Sequence, residues 1–265
     1  MKIALIQLNA RDNKKKNIDR ALRLTLQAVR SKARFILLPE LFNFRGSAKS
    51  KKGLASVAEP IPRESLIPFM ILAKARRVFI LAGSIYEKAK GTNKVYNTSV
   101  LIDDKGRIRA QYRKINLFKA LVDGKKIDES KRFLAGCTLA MAMVGEFKAG
   151  LSICYDLRFP ELFRRYAEKG ADILCVPSSF TETTGRAHWE ILLRARAVEN
   201  LCYVLAPGQF GKTPNGVTTY GNSMVVDPWG KILTRASGNR EGVLYADISK
   251  EEILKARQKL PHARK

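Results

Sequence analysis

The sequence predicts an α/β protein built as a four-layer sandwich, with helices packed outside two β-sheets. Three observations carry that expectation. Short apolar runs bounded by turn residues alternate with longer amphipathic stretches along the chain. The elements fall in the order βαβα, then ββ, then βαβα, then βββα, which leaves two sheets for the helices to cover. No fixed-period repeat or linker-like composition interrupts them, so the 265 residues are expected to form one domain, 1–265.

In order, residues 3–8 (IALIQL) read as a buried strand. The run in MKIALIQLNA is short and broken by Gln and Asn, so it is expected to be a core strand and not a signal peptide. A helix follows at 14–31, with Ile18, Ala21, Leu22, Leu26 and Val29 at helical spacing. Strand 34–38 is stopped by Pro39, and Glu40 comes directly after. Residues 46–60 read as a polar loop over a site, then helix 65–76 and strand 78–86. Strands 94–102 and 107–113 flank Asp103-Asp104-Lys105-Gly106, a hairpin signal, and Lys114 ends the second. Residues 115–135 show no period and read as a long functional loop. Strands 138–144 and 148–153 lead to Cys154, helix 160–169 follows, and Pro177 stops strand 172–176. Loop 178–185 precedes helix 186–199, which is apolar on most of its circumference. Strand 201–206, loop 207–221 and strands 222–227, 231–235 and 243–247 complete the sheets. Ser249 and Glu252 form a capping box for helix 250–258, and the tail PHARK reads as loose.

Composition narrows the function. The net charge of +25 admits nucleic-acid binding, but Lys and Arg are spread over nearly every element. That distribution favours a basic solvated surface, with no specific nucleic-acid partner expected. No apolar run is long enough to span a bilayer. The four cysteines, Cys137, Cys154, Cys175 and Cys202, are widely spaced and fit a reducing cytoplasm. None has zinc-ligand spacing, and only His188 and His262 could add imidazole, so no metal site is expected.

The stretch LSICYDLRFPELFR, 151–164, holds the strongest chemical signal. It carries a cysteine from an apolar strand into an amphipathic helix, where backbone N–H groups and a helix N-terminus favour negative charge. Pro160 suits the first helical position, Glu161 the first turn and Gly170 a left-handed stop. Read alone, Cys154 is more readily an inert core thiol, since buried thiols are common. A nucleophilic thiol needs a base. His262 lies in the tail, and His188 reads as a packed helix-start residue, so a carboxylate is the alternative. Glu40, Lys114 and Cys154 then stand at three strand ends, where α/β sheets gather their sites. Each alone is a weak signal, and Glu40 has a bland alternative as a salt-bridge or capping partner. Together they offer a base, an oxyanion-stabilising cation and a nucleophile.

The segments LLPELF, YRKINLF and LSICYDLRFPELFR resemble the nitrilase, or carbon–nitrogen hydrolase, superfamily. GRAHWEILLRARAVEN, YGNSMVVDPWG and GVLYADI extend the resemblance over nearly the whole chain. It implies an αββα fold, homodimeric or larger assembly, and a triad of Glu40, Lys114 and Cys154. Its additional glutamate matches Glu129 in KIDES. The sequence CYDLRFPE looks most like the Nit-type amidase branch of ω-amidases and deaminated-glutathione amidases. The resemblance implies hydrolysis of a small amide to acid and ammonia through a thioester, with no metal or organic cofactor. An N-carbamoyl amide hydrolase is the alternative, and a basic nucleic-acid-binding protein with a vestigial site a remoter one. The Tyr155 backbone N–H would join Lys114 at the oxyanion, with Tyr155 also beside the substrate. Arg158 would either clamp a substrate carboxylate or pair with Glu161 or another carboxylate. Two departures bear on the substrate: Asn116 stands where many branch members have histidine, and segment 44–53 is unusually basic.

Overall fold

Two six-stranded sheets lie at the centre of the molecule. The computed structural model describes residues 1–46, 53–122, 125–214 and 216–261. The first sheet holds β1 (Lys2–Gln7), β2 (Phe35–Leu37) and β3 (Phe79–Lys88) in parallel, then β4 (Val95–Ile102) and β5 (Ile108–Arg113). The β3–β4 and β4–β5 pairs are both antiparallel. Two reversals restore the original direction, so β2 and β5 deliver Glu40 and Lys114 to the same edge. A separate hairpin, β6 (Lys119–Val122) with β7 (Lys125–Asp128), follows.

The second sheet contains β8 (Met141–Val144), β9 (Phe147–Leu151), β10 (Ile173–Cys175) and β11 (Tyr203–Ala206). A two-stranded ribbon, β12 (Phe210–Lys212) and β13 (Thr218–Tyr220), stands apart from it. The sheet is completed by β14 (Met224–Val226) and β15 (Ile232–Arg235). The last strand, β16 (Gly242–Asp247), returns to pair with β1.

The helices cover the outside. Helices α1 (Lys14–Arg30) and α2 (Ile67–Arg76) bury Ile18, Ala21, Leu24, Phe69 and Ala73 against Ala4, Ile6, Ile36 and Ile80 of the first sheet. The alternate residues Ile3, Leu5, Phe35 and Leu37 point the other way, into a core shared with the second sheet. That core also takes in α3 (Pro160–Glu168), α4 (Glu182–Asn200) and Ile253 of α5 (Lys250–Lys259). Each fully buried side chain of this size contributes about 1.5–3 kcal/mol. The α/β sandwich expected from the element order is the fold observed.

Several details differ from the sequence reading. The buried stripe of α1 runs through Ile18, Ala21, Leu24, Thr25 and Ala28, while Leu22, Leu26 and Val29 flank it. The small Ala21, Thr25 and Ala28 let the helix lie close to the sheet, and the larger apolar residues fill its margins. Residues 115–135 hold the β6–β7 hairpin and a 3-10 turn at Glu129–Lys131. The lysines in that hairpin hide its period. Residues 207–221 likewise include β12 and β13. Helix α4 begins at Glu182, four residues earlier than expected. Only half of the expected capping box forms. Ser249 accepts from Glu252 N at 3.3 Å, but its own N–H donates to the Tyr203 hydroxyl while Glu252 pairs with Lys255. His262, most of the tail and Lys49, Lys51 and Lys52 of loop 46–60 lie outside the described residues.

Candidate active site

Glu40 is delivered by a tight crossing of two strands. Leu38 N donates to Leu81 O at 2.9 Å, and the β3–β4 pairing shifts register between Ala82 and Ile85. Gly83 sits in that irregularity, where an added Cβ would lie 1.9 Å from Leu38 O. Only glycine admits so close a backbone approach. Beyond Glu40 the chain turns through Leu41 at φ 52°, whose N–H donates to Ser84 Oγ at 2.9 Å. The carboxylate ends 3% exposed, with Oε1 accepting from Asn97 Nδ2 at 2.8 Å. Gln209 Nε2 donates to the Glu40 carbonyl at 2.9 Å, which holds the main chain as well.

Lys114 reaches the same place from β5. Its Nζ lies 3.3 Å from Glu40 Oε1, and 3.2 and 2.9 Å from the two oxygens of Glu129. Burial by itself would depress the amine pKa. The negative charges of Glu129 and Glu40 outweigh it and hold Lys114 well above its ordinary range, so it is a cation at neutral pH. Glu129 enters from the 3-10 turn after the β6–β7 hairpin and also accepts from Phe118 N at 2.7 Å.

Cys154 occupies a strand-to-helix elbow. Strand β9 ends at Leu151, a 3-10 turn spans Cys154–Arg158, and α3 starts at Pro160. The junction read from the sequence is present, with this extra turn inside it. Cys154 has φ 49°, a left-handed conformation rare outside glycine and asparagine. Its N–H donates to Pro177 O at 3.0 Å, so the next N–H of the turn belongs to Tyr155. The thiol lines the same cavity as the Glu40 carboxylate and Ser179. Burial raises the thiol pKa well above its ordinary range. The Glu40 charge raises it further, and Lys114 opposes the shift. The resting sulfur is therefore a protonated thiol beside a carboxylate, an arrangement suited to proton removal during attack.

The three side chains meet at one cavity of about 210 Å³, also lined by Glu129, Tyr155 and Arg158. Its size suits a small substrate. Tyr155 is fixed by edge-on contacts with Phe118 and Phe159, at 4.9 and 5.5 Å between ring centroids. The Arg158 guanidinium stands over the rings of Phe180 and Tyr155, at 5.2 and 5.8 Å. The salt bridge with Glu161 does not form. Arg158 is absent from the ion pairs of the described residues, and its polar contact is His188 Nδ1 at 3.3 Å. His188 is exposed on α4 and does not line the cavity. Among the described residues no group of His, Cys, Asp and Glu is arranged to hold a metal ion.

The carbon-nitrogen hydrolase family model matches residues 2–258. The chain belongs to the carbon-nitrogen hydrolase family. Among its relatives is the ω-amidase NIT2 of Mus musculus, 39% identical over 261 residues, which cover 98% of this chain and 92% of that protein. The deaminated glutathione amidase of a Synechocystis species is 39% identical over 262 residues, covering 97% and 95%. Among solved structures, the NitFhit protein of C. elegans superposes with a TM-score of 0.88 at 35% identity. That match covers 98% of this chain and 63% of the NitFhit chain.

Within this carbon-nitrogen hydrolase, sequence reasoning missed the residues that hold Glu40 and the Cys154 turn in place. Asp156 is fully buried and ties the two sheets together at the site. It accepts from Ile153 N, Asn116 N and Asn116 Nδ2, each at 2.9 Å, and from the Tyr112 hydroxyl at 2.8 Å. Burial raises its pKa, and these hydrogen bonds oppose the rise. Asn116 thereby anchors the turn that carries Cys154 and does not line the cavity. Asn97 and Gln209, which hold Glu40, were also missed. Polar residues inside apolar runs, as in VYNTSVLI, were the signal available.

Proposed function

We propose that this hydrolase is a thiol amidase of the Nit type, converting a small carboxylate-bearing amide to its acid and ammonia. The observation that carries the reading is a buried thiol that shares one cavity with Glu40, whose carboxylate is 3.3 Å from Lys114 Nζ. In the proposed cycle Glu40 takes the Cys154 proton as the sulfur attacks the amide carbonyl. Lys114 Nζ and the Tyr155 N–H stabilise the oxyanion, where losing one donor typically costs about 3 kcal/mol. Glu40 passes the proton to the departing ammonia, which leaves an acyl thioester. It then takes a proton from water as that water attacks, and the proton returns to the thiol as the acid leaves. Glu129 keeps Lys114 charged and directed. Arg158, which has no ion-pair partner among the described residues, attracts an anionic substrate. The ω-amidase and deaminated glutathione amidase relatives support the choice of amide.

Further parts of the reading concern the whole molecule. The chain is proposed to act as one catalytic domain. Self-association is supported by Ile191, Val198 and Trp229, which are exposed on and beside α4. A homodimer is expected, and a monomer by light scattering at micromolar concentration would contradict it. Four free cysteines support residence in a reducing cytoplasm.

The test is ammonia release from α-ketoglutaramate, succinamate, deaminated glutathione and carbamoyl amino acids. Cys154→Ala is expected to abolish turnover while the fold is retained. Full activity in that variant would defeat the assignment, and carbon dioxide released along with ammonia would point to a carbamoyl hydrolase.

A further inference from the structure

Arg45 is a second buried cation at the cavity, and the catalytic cycle does not use it. It lies on the segment leaving Glu40, is the first basic residue of the region 44–53, and is 4% exposed. Its Nη1 donates to Gln209 Oε1 at 2.9 Å and its Nη2 to Thr219 Oγ1 at 3.1 Å. Both acceptors are neutral. Among the described residues no carboxylate oxygen comes within 4.0 Å of its guanidinium. Withdrawing a guanidinium from water without an anion is costly. Burial lowers its pKa to about 10, so the charge persists at neutral pH.

The surroundings favour an incoming anion. Arg45 lines the same cavity as Cys154 and Lys114, beside Leu54, Tyr86 and Phe133. Those three belong to one small apolar cluster, which lowers the local dielectric and strengthens any ion pair formed there. Two of the five guanidinium N–H donors serve Gln209 and Thr219, and a carboxylate needs two more. Glu40, the nearest acid along the chain, is already held by Lys114 and Asn97.

We propose that Arg45 binds the carboxylate on the acyl part of the substrate, and so directs the enzyme to monoamides of dicarboxylic acids over neutral amides. This rests on the amidase reading and assigns its anion selectivity to one residue. Arg158, stacked on Phe180 and Tyr155 and less deeply buried, adds general attraction at the cavity.

The experiment compares wild type, Arg45→Gln and Arg45→Lys on succinamate and on succinamide, in which a second amide replaces the carboxylate. In parallel, calorimetry measures succinate and succinamide binding to Cys154→Ala with and without Arg45→Gln. Losing a buried charge partner predicts a fall of about 100-fold in kcat/KM for succinamate, mainly through KM. The loss on succinamide should be much smaller, so the preference collapses, and Arg45→Lys should restore part of it. Succinate affinity should fall by a similar factor. Equal losses on both amides would reduce Arg45 to a brace between Gln209 and Thr219 and overturn the proposal. An unchanged preference, or no succinate binding to Cys154→Ala, would also overturn it. If wild type cleaves no amide, the amidase reading fails on its own. Calorimetry still decides on Arg45: succinate binding lost in Arg45→Gln supports it, and binding retained overturns it.

Discussion

Lys114 and Arg45 are both cations buried at one cavity, yet their surroundings are opposites. Lys114 has Glu40 and Glu129 within 3.3 Å, and both press its pKa upward. Arg45 has Gln209 and Thr219, both neutral, and burial presses its pKa downward. A compensated charge is a finished part of the fold, in place for its proposed action on an oxyanion without moving. An uncompensated one stores a demand that a ligand can meet. The difference separates the proposed bond-breaking machinery from the feature proposed to choose the molecule.

The comparison is broken most severely at Lys114. Lys114→Met leaves two carboxylates facing each other without a cation. Turnover is expected to drop by about 10³-fold and stability by about 3–5 kcal/mol, checked by steady-state kinetics and urea unfolding. Glu129→Gln keeps the Lys114–Glu40 contact and removes one charge. It should lower kcat by about tenfold, and a loss as large as that of Lys114→Met would place Glu129 in the chemistry itself.

The next effect depends on pH. Cys154 is raised from its ordinary value of 9.0 and Lys114 from 10.5, so each binds its proton more tightly folded than unfolded. Their contributions are fully present below those ordinary values and are lost as pH rises through the folded ones. Stability should therefore begin to decline above pH 9, by up to about 1.4 kcal/mol per pH unit for each group. Cys154→Ala should lessen the earlier part of that slope in denaturant titrations at stepped pH, and the rest of it belongs to Cys175, which burial also raises from 9.0. The smallest effect belongs to Arg45→Met. Replacing an unpaired buried charge by an apolar chain should change stability by no more than about 1 kcal/mol. A loss like that of Lys114→Met would show that Arg45 is as fully compensated as the lysine.

What was legible in the sequence follows the same division. Glu40, Lys114 and Cys154 each follow an apolar strand, and strand ends can be read locally from stop residues and periodicity. Their convergence needed only the element order. Glu129 came through resemblance to a family motif, because the lysine-rich hairpin that carries it shows no apolar period. Asp156, Asn97 and Gln209 act through partners that are distant in sequence; Gln209, for example, holds the Glu40 carbonyl from 169 residues away. No local pattern encodes such a contact. Arg45 was visible only as part of a basic segment, since its meaning depends on being buried with no ion-pair partner among the described residues.

The central claim is that Cys154 becomes acylated during amide hydrolysis. The most direct test is an acid quench during steady-state turnover of succinamate, followed by intact-mass and peptide mass measurement. The account predicts an added succinyl group, bound as a thioester on the peptide holding Cys154 and absent from Cys154→Ala. Sustained ammonia release by a protein that carries no acyl group, with Cys154→Ala equally active, would contradict it.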